Sequence, residues 1–381
     1  MKKQMNKPII KAMAAATLAV LAFAGCEKKP EGDQTAPANE NIIDADGAEL
    51  HIYTWSDYID PEIVENFEKA YDCRIIVDTF DSNEAMYAKL KAGGAGYDIA
   101  TPSSYFVALM ANEGLIQKLD HSKLPNVKAN FDKSFTSQIL DPSFTYNVPY
   151  AVTYTGFCYQ KKRIPKGVDV ATWSILNDEY FKGRITLLDD IRETIGAGLM
   201  SLGYSINSVN PDEIARAVDV VLGWRKNIRK FDAESYKTEV ASGATWIGHG
   251  YSTDSMQVII GDEEEEMPPR PDIGFALPKE GFSIAFDEMV LCAGAPHPDL
   301  AYAFMNYLYK GEVAKANMEY ILGPTPVKPG IDALSEEFRA QIILPPEVIA
   351  NGQVIDAIDS VPGAMELYNK GWDKIKSAET K

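Results

Sequence analysis

The chain has 381 residues, of which 46% are hydrophobic and 24% are charged, a composition typical of a globular protein large enough for two domains. Acidic residues outnumber basic residues by 55 to 37, and the formal net charge is −18. Such a charge argues against nucleic acid or an anionic membrane as the partner of the chain as a whole. It favours cationic partners, although acidity can also serve solubility alone.

The amino terminus predicts a secretory signal peptide over residues 1–25. Met1 to Lys11 contains four lysines and no acid, and the next fourteen residues are almost entirely apolar or small. This run is too short to span a bilayer. Small residues precede Cys26, as at a bacterial lipoprotein cleavage site, so Cys26 is predicted to carry a lipid; an ordinary signal peptide with an incidental cysteine is the alternative. Residues 26–48 are predicted to form a flexible tether, because the stretch from Glu27 to Glu40 is polar, contains proline and lacks periodicity.

The globular part opens with alternating strands and helices between Glu49 and Asp120. Short apolar or β-branched runs predict strands at Leu50–Tyr53, Arg74–Val77 and Tyr97–Ala100. Apolar residues at helical spacing occupy the intervals between them. This alternation predicts an α/β fold with a parallel sheet.

Helix starts are marked by capping residues. Asp60 is placed to cap the first helix, with Pro61 in its first turn. Asp81 and Glu84 have capping-box spacing and predict the start of the second helix.

Polar and aromatic side chains gather after two of the predicted strands. Trp55, Ser56 and Tyr58 follow the first strand, and Ser103 and Tyr105 follow the third. Ligands of open parallel sheets bind beyond the carboxyl ends of the strands. These side chains are therefore candidates for a binding site.

Several sequence blocks carry a resemblance to a known family. These blocks are YTWSDYIDP, FDSNEAMYAKLKAGGAGYDIATPSSYFV, VPYAVTYTGFCY, TWSILNDEYFKGRITLLDDIRE and GPTP. They resemble the spermidine/putrescine-binding proteins of bacterial ABC transporters over most of the chain after residue 48. The resemblance implies a two-lobe periplasmic-binding-protein fold (type II) with the ligand in the cleft between the lobes. Lobe one would hold 49–151 and 282–323, and lobe two would hold 152–281 and 324–381.

A polyamine has cationic ends and an apolar middle, so its site needs carboxylates and aromatic faces. In the resemblance Asp287 would anchor one amine, and Asp190 and Glu193 would bind another. The family's contact positions fall on Trp55, Tyr58, Ser103, Tyr105, Asp190, Glu193 and Asp287, with Ser56, His249 and Tyr251 as further candidates.

The sequence also departs from the family. Tryptophans of the family are replaced by Gly248 and Ala285, an aromatic residue by Gly323, and a glutamine by a residue near Ile355. These changes fit a ligand of different shape that still bears at least one amine.

The resemblance implies a monomeric, extracytoplasmic binding protein that delivers a small cationic ligand to ABC permease subunits, without a cofactor. The membrane contact would be the lipid anchor alone. A different small amine or amino-acid-like ligand, a ligand sensor and an extracellular hydrolase that uses Asp190 and Glu193 as acid and base are the alternatives. No nucleophile elbow or zinc-protease motif supports the hydrolase.

Neither a metal site nor a defined disulfide follows from the sequence. The acidic run Asp262–Glu266 lacks the periodicity of a cation site and predicts a solvated loop. Cys73, Cys158 and Cys292 are either three buried thiols or one disulfide with one thiol.

Overall fold

The computed structural model describes residues 47–93, 96–261, 268–358 and 361–378. The predicted signal peptide, Cys26, the acidic run 262–266 and all but the last two residues of the predicted tether lie outside these ranges. The residues in these ranges all belong to one compact unit, which contains every element described below.

The strands are short except for two. They are β1 Glu49–Thr54, β2 Arg74–Thr79, β3 Ile99–Ala100, β4 Asn147–Gln160, β5 Ile185–Leu187, β6 Ile228–Phe231, β7 Ile247–Tyr251, β8 Ile273–Ala276, β9 Phe282–Leu291 and β10 Gly352–Val354.

The helices cover the faces of the sheet. They are α1 Pro61–Tyr71, α2 Asn83–Lys91, α3 Ser104–Asn112, α4 Pro125–Asn130, α5 Ile191–Ser201, α6 Pro211–Trp224, α7 Tyr236–Ser242, α8 Ser252–Ile260, α9 Pro298–Leu308, α10 Gly311–Ile321, α11 Lys328–Ala333, α12 Glu336–Ile342, α13 Pro346–Ile349 and α14 Ala364–Ser377. Single 3-10 segments occupy His121–Lys123, Lys133–Gln138, Lys161–Arg163, Trp173–Asn177 and Glu179–Phe181.

The strands form a sheet in the order β2-β1-β3-β9-β4-β7-β5-β6, with β10 beside β9 and β8 beside β4. β1 is parallel to β2 and β3, which confirms the predicted parallel unit. β5 is likewise parallel to β6 and β7. The long strands β4 and β9 are antiparallel to each other and join the two parallel units into one sheet.

Two large cores lie on either side of these crossing strands. The first contains Phe67, Phe304 and Met318, and the second contains Trp173, Trp224 and Ile195. Together with the sheet, they build the predicted two-lobe α/β fold. The tail contributes to both cores, because α11 and α12 pack in the first core while α14 packs in the second.

Local capping explains where the first helices begin. Asp60 caps α1 as predicted, and its Oδ1 accepts a hydrogen bond from the Glu62 amide at 2.8 Å. The prediction that Asp81 caps α2 is wrong. Ser82 is the cap, and its hydroxyl accepts from the Ala85 amide at 3.1 Å. The helix therefore begins at Asn83, whose buried side chain hydrogen-bonds with Ser103 in the segment after β3.

The three cysteines of this part of the chain are all free thiols. Cys158 and Cys292 are buried and Cys73 is partly buried. Within the described ranges, none of the helices is both long and apolar enough to cross a membrane, and no three His, Cys, Asp or Glu side chains group so that they could hold a metal ion.

Candidate functional site

The carboxylate of Asp287 receives hydroxyl hydrogen bonds from two loops of the first lobe. Asp287 lies on β9, and the Ser103 hydroxyl donates to its Oδ1 at 2.6 Å. The Tyr58 hydroxyl donates to its Oδ2. A β-bridge between Ser103 and Asp287 fixes the backbones in the same pairing. Burial raises the pKa of Asp287 above its ordinary value, and the two hydroxyl donors offset part of that effect.

Asn83 supports this arrangement and was missed by the sequence reasoning. Its Oδ1 accepts from the Ser103 amide at 2.9 Å, and its Nδ2 donates to the Ser103 hydroxyl at 3.0 Å. The same Nδ2 donates to the Tyr105 hydroxyl at 3.2 Å. Asn83 thus connects the Asp287 end of the site to Tyr105. In the sequence it looks like any polar residue in the first turn of a helix.

A second pair of carboxylates stands at the start of α5 in the other lobe. Asp190 follows β5 and caps α5, so its Oδ1 accepts from the amides of Arg192 and Glu193 at 2.8 and 2.9 Å. Glu193 is buried in the first turn of the same helix. Both carboxylates therefore lie beyond the carboxyl end of a parallel strand, where the sequence predicted a ligand.

Glu193 connects α5 to both crossing strands. Its Oε1 accepts from the Thr155 hydroxyl on β4 at 3.0 Å, and its Oε2 accepts from the Ser283 hydroxyl on β9 at 2.6 Å. Burial, and then the neighbouring charge of Asp190, raise the pKa of Glu193 to about 7. Burial likewise raises the pKa of Asp190. Glu193 therefore changes its charge near neutral pH, and with it the negative charge at this end of the site changes.

One face of β9 joins the two acidic ends. Side chains two apart on a strand point to the same face, so Ser283, Ala285 and Asp287 share one face. Ser283 contacts Glu193, and Asp287 contacts Ser103. Ala285 stands between them and is partly exposed. Ala285, which the sequence analysis places where the similar family has a tryptophan, therefore lies on the face that links the carboxylates.

Two tyrosines lie beside the second acidic pair. Tyr105 packs against the second core and against a smaller cluster that contains Tyr53, Phe80 and Phe106. Burial and the charge of Asp190 raise its pKa well above 10. Burial, Asp190 and Glu193 act on Tyr251 in the same direction. Tyr105 lies on α3 and Tyr251 ends β7, so tyrosines from two separate elements lie close enough to Asp190 for its charge to raise their pKa values.

Trp55 belongs to the first lobe, where it directly follows β1. Its ring centroid is 4.5 Å from that of Phe80, and it packs in the same cluster as Tyr105. Its indole Nε1 is buried and has no hydrogen-bond partner among the described residues. Ser56, next in sequence, is exposed in the turn after β1.

The structure does not bring His249 to the carboxylates. It lies inside β7 with 1% of its surface exposed, and its ring is 5.4 Å from that of Trp173 in the second core. Burial lowers its pKa to about 3, so the imidazole is neutral. The two glycines that flank His249 lie within β7, on the side of the strand that packs against α7. A Cβ at Gly248 would lie 3.1 Å from Tyr236, and one at Gly250 would lie 2.0 Å from it.

Arg192 tethers the acidic helix start to the tail. Its guanidinium donates to the Asp356 carbonyl at 3.0 Å and to the Asn207 Oδ1 at 2.8 Å. It also lies 5.4 Å from the centre of the Tyr368 ring. Its positive charge lowers the pKa of Asp190 and of Glu193, but less than burial raises them.

Carboxylates from two lobes, with tyrosines near Asp190, are groups that can accept hydrogen bonds from a small cation. The sequence profile of the bacterial extracellular solute-binding proteins matches residues 62–346. This chain belongs to that family. It is 32% identical to the putrescine/cadaverine-binding protein of Pseudomonas aeruginosa over 332 residues, which cover 86% of this chain and 93% of the relative.

Solved structures are similar over the same range. The spermidine/putrescine ABC transporter substrate-binding protein PotD of Streptococcus pneumoniae has a TM-score of 0.76 and 32% identity, covering 87% of this chain and 99% of that one. The Tp0655 (TpPotD) lipoprotein of Treponema pallidum has a TM-score of 0.74 and 30% identity, covering 86% and 99%. The two-lobe solute-binding fold predicted from the sequence is confirmed.

Proposed function

We propose that this protein captures a polyamine outside the cytoplasm and delivers it to the permease of an ABC importer. The observation that carries the proposal is that carboxylates from two lobes stand at the two ends of one face of β9. Asp287 is at one end, and Glu193 with its neighbour Asp190 is at the other. The names of the relatives point to the same ligand class.

The chemistry of the site suits an α,ω-diamine. One ammonium would donate to Asp287, and the other would donate to Asp190 and Glu193. Aromatic faces attract ammonium groups and cover methylene chains, each cation–π contact contributing about 0.5–2 kcal/mol. We assign ligand contact to the carboxylates and to the aromatic and hydroxyl groups beside them, namely Trp55, Tyr58, Ser103, Tyr105, Asp190, Glu193, Tyr251 and Asp287.

Ligand would hold the lobes together, because each lobe supplies only part of the site. Lobe one would hold 49–151 and 282–323 together with α11 and α12, which pack in the first core. Lobe two would hold 152–281 and α14, and β4 and β9 would act as the hinge. The closed monomer would then dock on the permease.

A lipid on Cys26 would hold the protein at the membrane. The supporting observations are the small residues before Cys26 and the description of the Treponema relative as a lipoprotein. A Cys26→Ser variant should appear in the soluble fraction of cells that retain the wild type on membranes. Equal membrane retention of both would contradict the anchor.

The ligand class is tested by titration calorimetry with putrescine, spermidine, agmatine, lysine, arginine and neutral sugars. Tight binding of a polyamine alone supports the proposal. A second candidate, a bulkier amine or amino-acid-like ligand, is favoured by Ala285, a small residue on the face between the two acidic ends. Preference for agmatine, arginine or lysine would support that candidate, and binding of sugars alone would contradict both.

A further inference from the structure

A basic and aromatic surface lies at the end of lobe two opposite the carboxylates. We define the basic pole as Arg163, Arg184, Arg229, Trp246 and Tyr180. Arg184 precedes β5, Trp246 precedes β7, and Arg229 lies near the start of β6. Arg163 follows the end of β4, which runs antiparallel to β7. Asp190 and Tyr251 stand at the other ends of these strands, roughly 15 Å away at about 3.3 Å per residue.

The arginines are gathered around one ring and one carbonyl. The guanidinium carbons of Arg163 and Arg184 lie 4.8 and 5.1 Å from the centre of the Trp246 ring. Arg184 and Arg229 both donate to the Ala244 carbonyl, at 3.3 and 3.2 Å. Two guanidinium groups therefore donate to the same carbonyl oxygen, which places their remaining N–H groups close together.

Carboxylates do not neutralise this cluster within the described part of the chain. There, no Asp or Glu lies within the 4.0 Å of an ion pair to Arg163, Arg184 or Arg229. The neighbouring Glu179 is paired instead with Lys226 at 3.0 Å. All three arginines are exposed, so their free N–H groups face solvent.

The aromatic part of the basic pole is also open to solvent. Tyr180 is 51% exposed, and its ring centroid is 5.5 Å from that of Trp246, which is itself partly exposed. Tyrosine and tryptophan favour the boundary between lipid headgroups and water, and arginine donates in pairs to phosphate oxygens. The combination matches a phospholipid headgroup layer better than an acidic peptide, which would not need the aromatic surface.

We propose that the basic pole docks this protein on an anionic phospholipid surface, with the ligand cleft facing away from the membrane. The net charge of −18 argues against membrane binding for the chain as a whole. At about 0.1 M salt, however, charges more than roughly 10 Å from the surface are largely screened, so the local cluster dominates. This orientation would leave the cleft accessible to ligand while the basic pole rests on the membrane.

The test is co-sedimentation of the unlipidated chain from Glu27 with vesicles of phosphatidylcholine, with and without phosphatidylglycerol, at about 0.1 M salt. This chain keeps the whole compact unit. The wild type should bind only the vesicles that contain phosphatidylglycerol. Replacing Arg163, Arg184 and Arg229 by Gln should lower the partition coefficient by on the order of tenfold or more.

The matched control replaces Lys69, Lys315 and Lys370 by Gln, which removes the same charge from i,i+4 pairs on α1, α10 and α14. This control should bind like the wild type. Thermal unfolding verifies the fold of each variant; if the triple arginine variant unfolds, the exposed Arg163→Glu alone should still weaken binding severalfold. No binding of the wild type, or equal loss in both triple variants, would overturn the proposal. Full release by inorganic phosphate at matched ionic strength would also overturn it, because the site would then be one for free phosphate.

Discussion

The Ser103 hydroxyl donates to the Asp287 carboxylate at 2.6 Å, although the two residues are 184 positions apart. This hydrogen bond joins the segment after β3 to the crossing strand β9. It holds an acceptor oxygen in place before any ligand arrives, since Ser103 is itself fixed by Asn83. Preorganisation of this kind reduces the entropy that binding must overcome.

Asp287→Asn should weaken polyamine binding by about 1.5–3 kcal/mol, because it removes a charge-assisted hydrogen bond to an ammonium. Titration calorimetry measures the change. Asp219→Asn is the control, since Asp219 is exposed on α6 and paired with Lys374 at 2.9 Å while the change in net charge is the same. Affinity should be retained in the control; wild-type affinity in Asp287→Asn would remove Asp287 from the site.

Polyamine affinity should rise with pH between about 6 and 8. Glu193 has a pKa near 7 without ligand, whereas a bound ammonium favours its ionised form. Below pH 7 the protein must release a proton on binding, at a cost in affinity of up to about tenfold per pH unit. Calorimetry in buffers of different ionisation enthalpy measures that release. Glu193→Gln should bind more weakly and lose most of the pH dependence; an unchanged profile would show that Glu193 is not the group responsible.

The unfolding free energy of Glu288→Gln, measured relative to that of the wild type at the same pH, should increase as the pH rises from 5 to 8. Burial raises the pKa of Glu288 to about 8, and its Oε2 accepts from the Asn147 amide. The native state therefore keeps a proton that the unfolded chain loses near its ordinary pKa. Consequently, the wild type loses unfolding free energy over this range, on the order of a few kcal/mol. The variant has no such proton to lose.

Urea unfolding at several pH values measures this difference. Glu319→Gln is the control, because Glu319 is half exposed and pairs with Lys315 on α10. Parallel pH profiles for the wild type and Glu288→Gln would show that Glu288 is ionised in the native protein at neutral pH.

Gly250→Ala should destabilise the protein by about 1–3 kcal/mol, because its Cβ would press into the Tyr236 ring. Gly223→Ala is a contrasting variant in α6, where a Cβ would meet nothing within 4 Å. It should stabilise by about 0.5–1 kcal/mol through helix propensity. Urea unfolding measures both. Two changes of the same sign would contradict the packing of β7 against α7.

Much of the fold follows from local sequence signals. Alternating strands and helices predicted the parallel unit, and Asp190 stands between a strand and a helix. Asp287 lies in the middle of β9, and only the family resemblance marked it as a candidate. The neutral hydroxyls of Thr155 and Ser283 could not be assigned in the same way. Strand alternation gives the face of each side chain, but only tertiary packing decides that both hydroxyls meet Glu193.

His249 illustrates the opposite case. Its flanking glycines lie within β7, where a Cβ at Gly250 would clash with Tyr236 and one at Gly248 would make a tight contact with it. The strand then turns the imidazole into the second core beside Trp173. For the same reason, a side chain at position 248 would face α7, so an aromatic residue there would lie behind the sheet.

The most direct measurement compares putrescine with 1,4-butanediol by titration calorimetry at pH 8. The two ligands have the same length, but only putrescine is charged. If paired carboxylates capture a dication, putrescine should bind and the diol should not compete with it, even in large excess. Comparable affinities, or no binding of putrescine or any other polyamine, would contradict the assignment of Asp287, Asp190 and Glu193 as amine anchors.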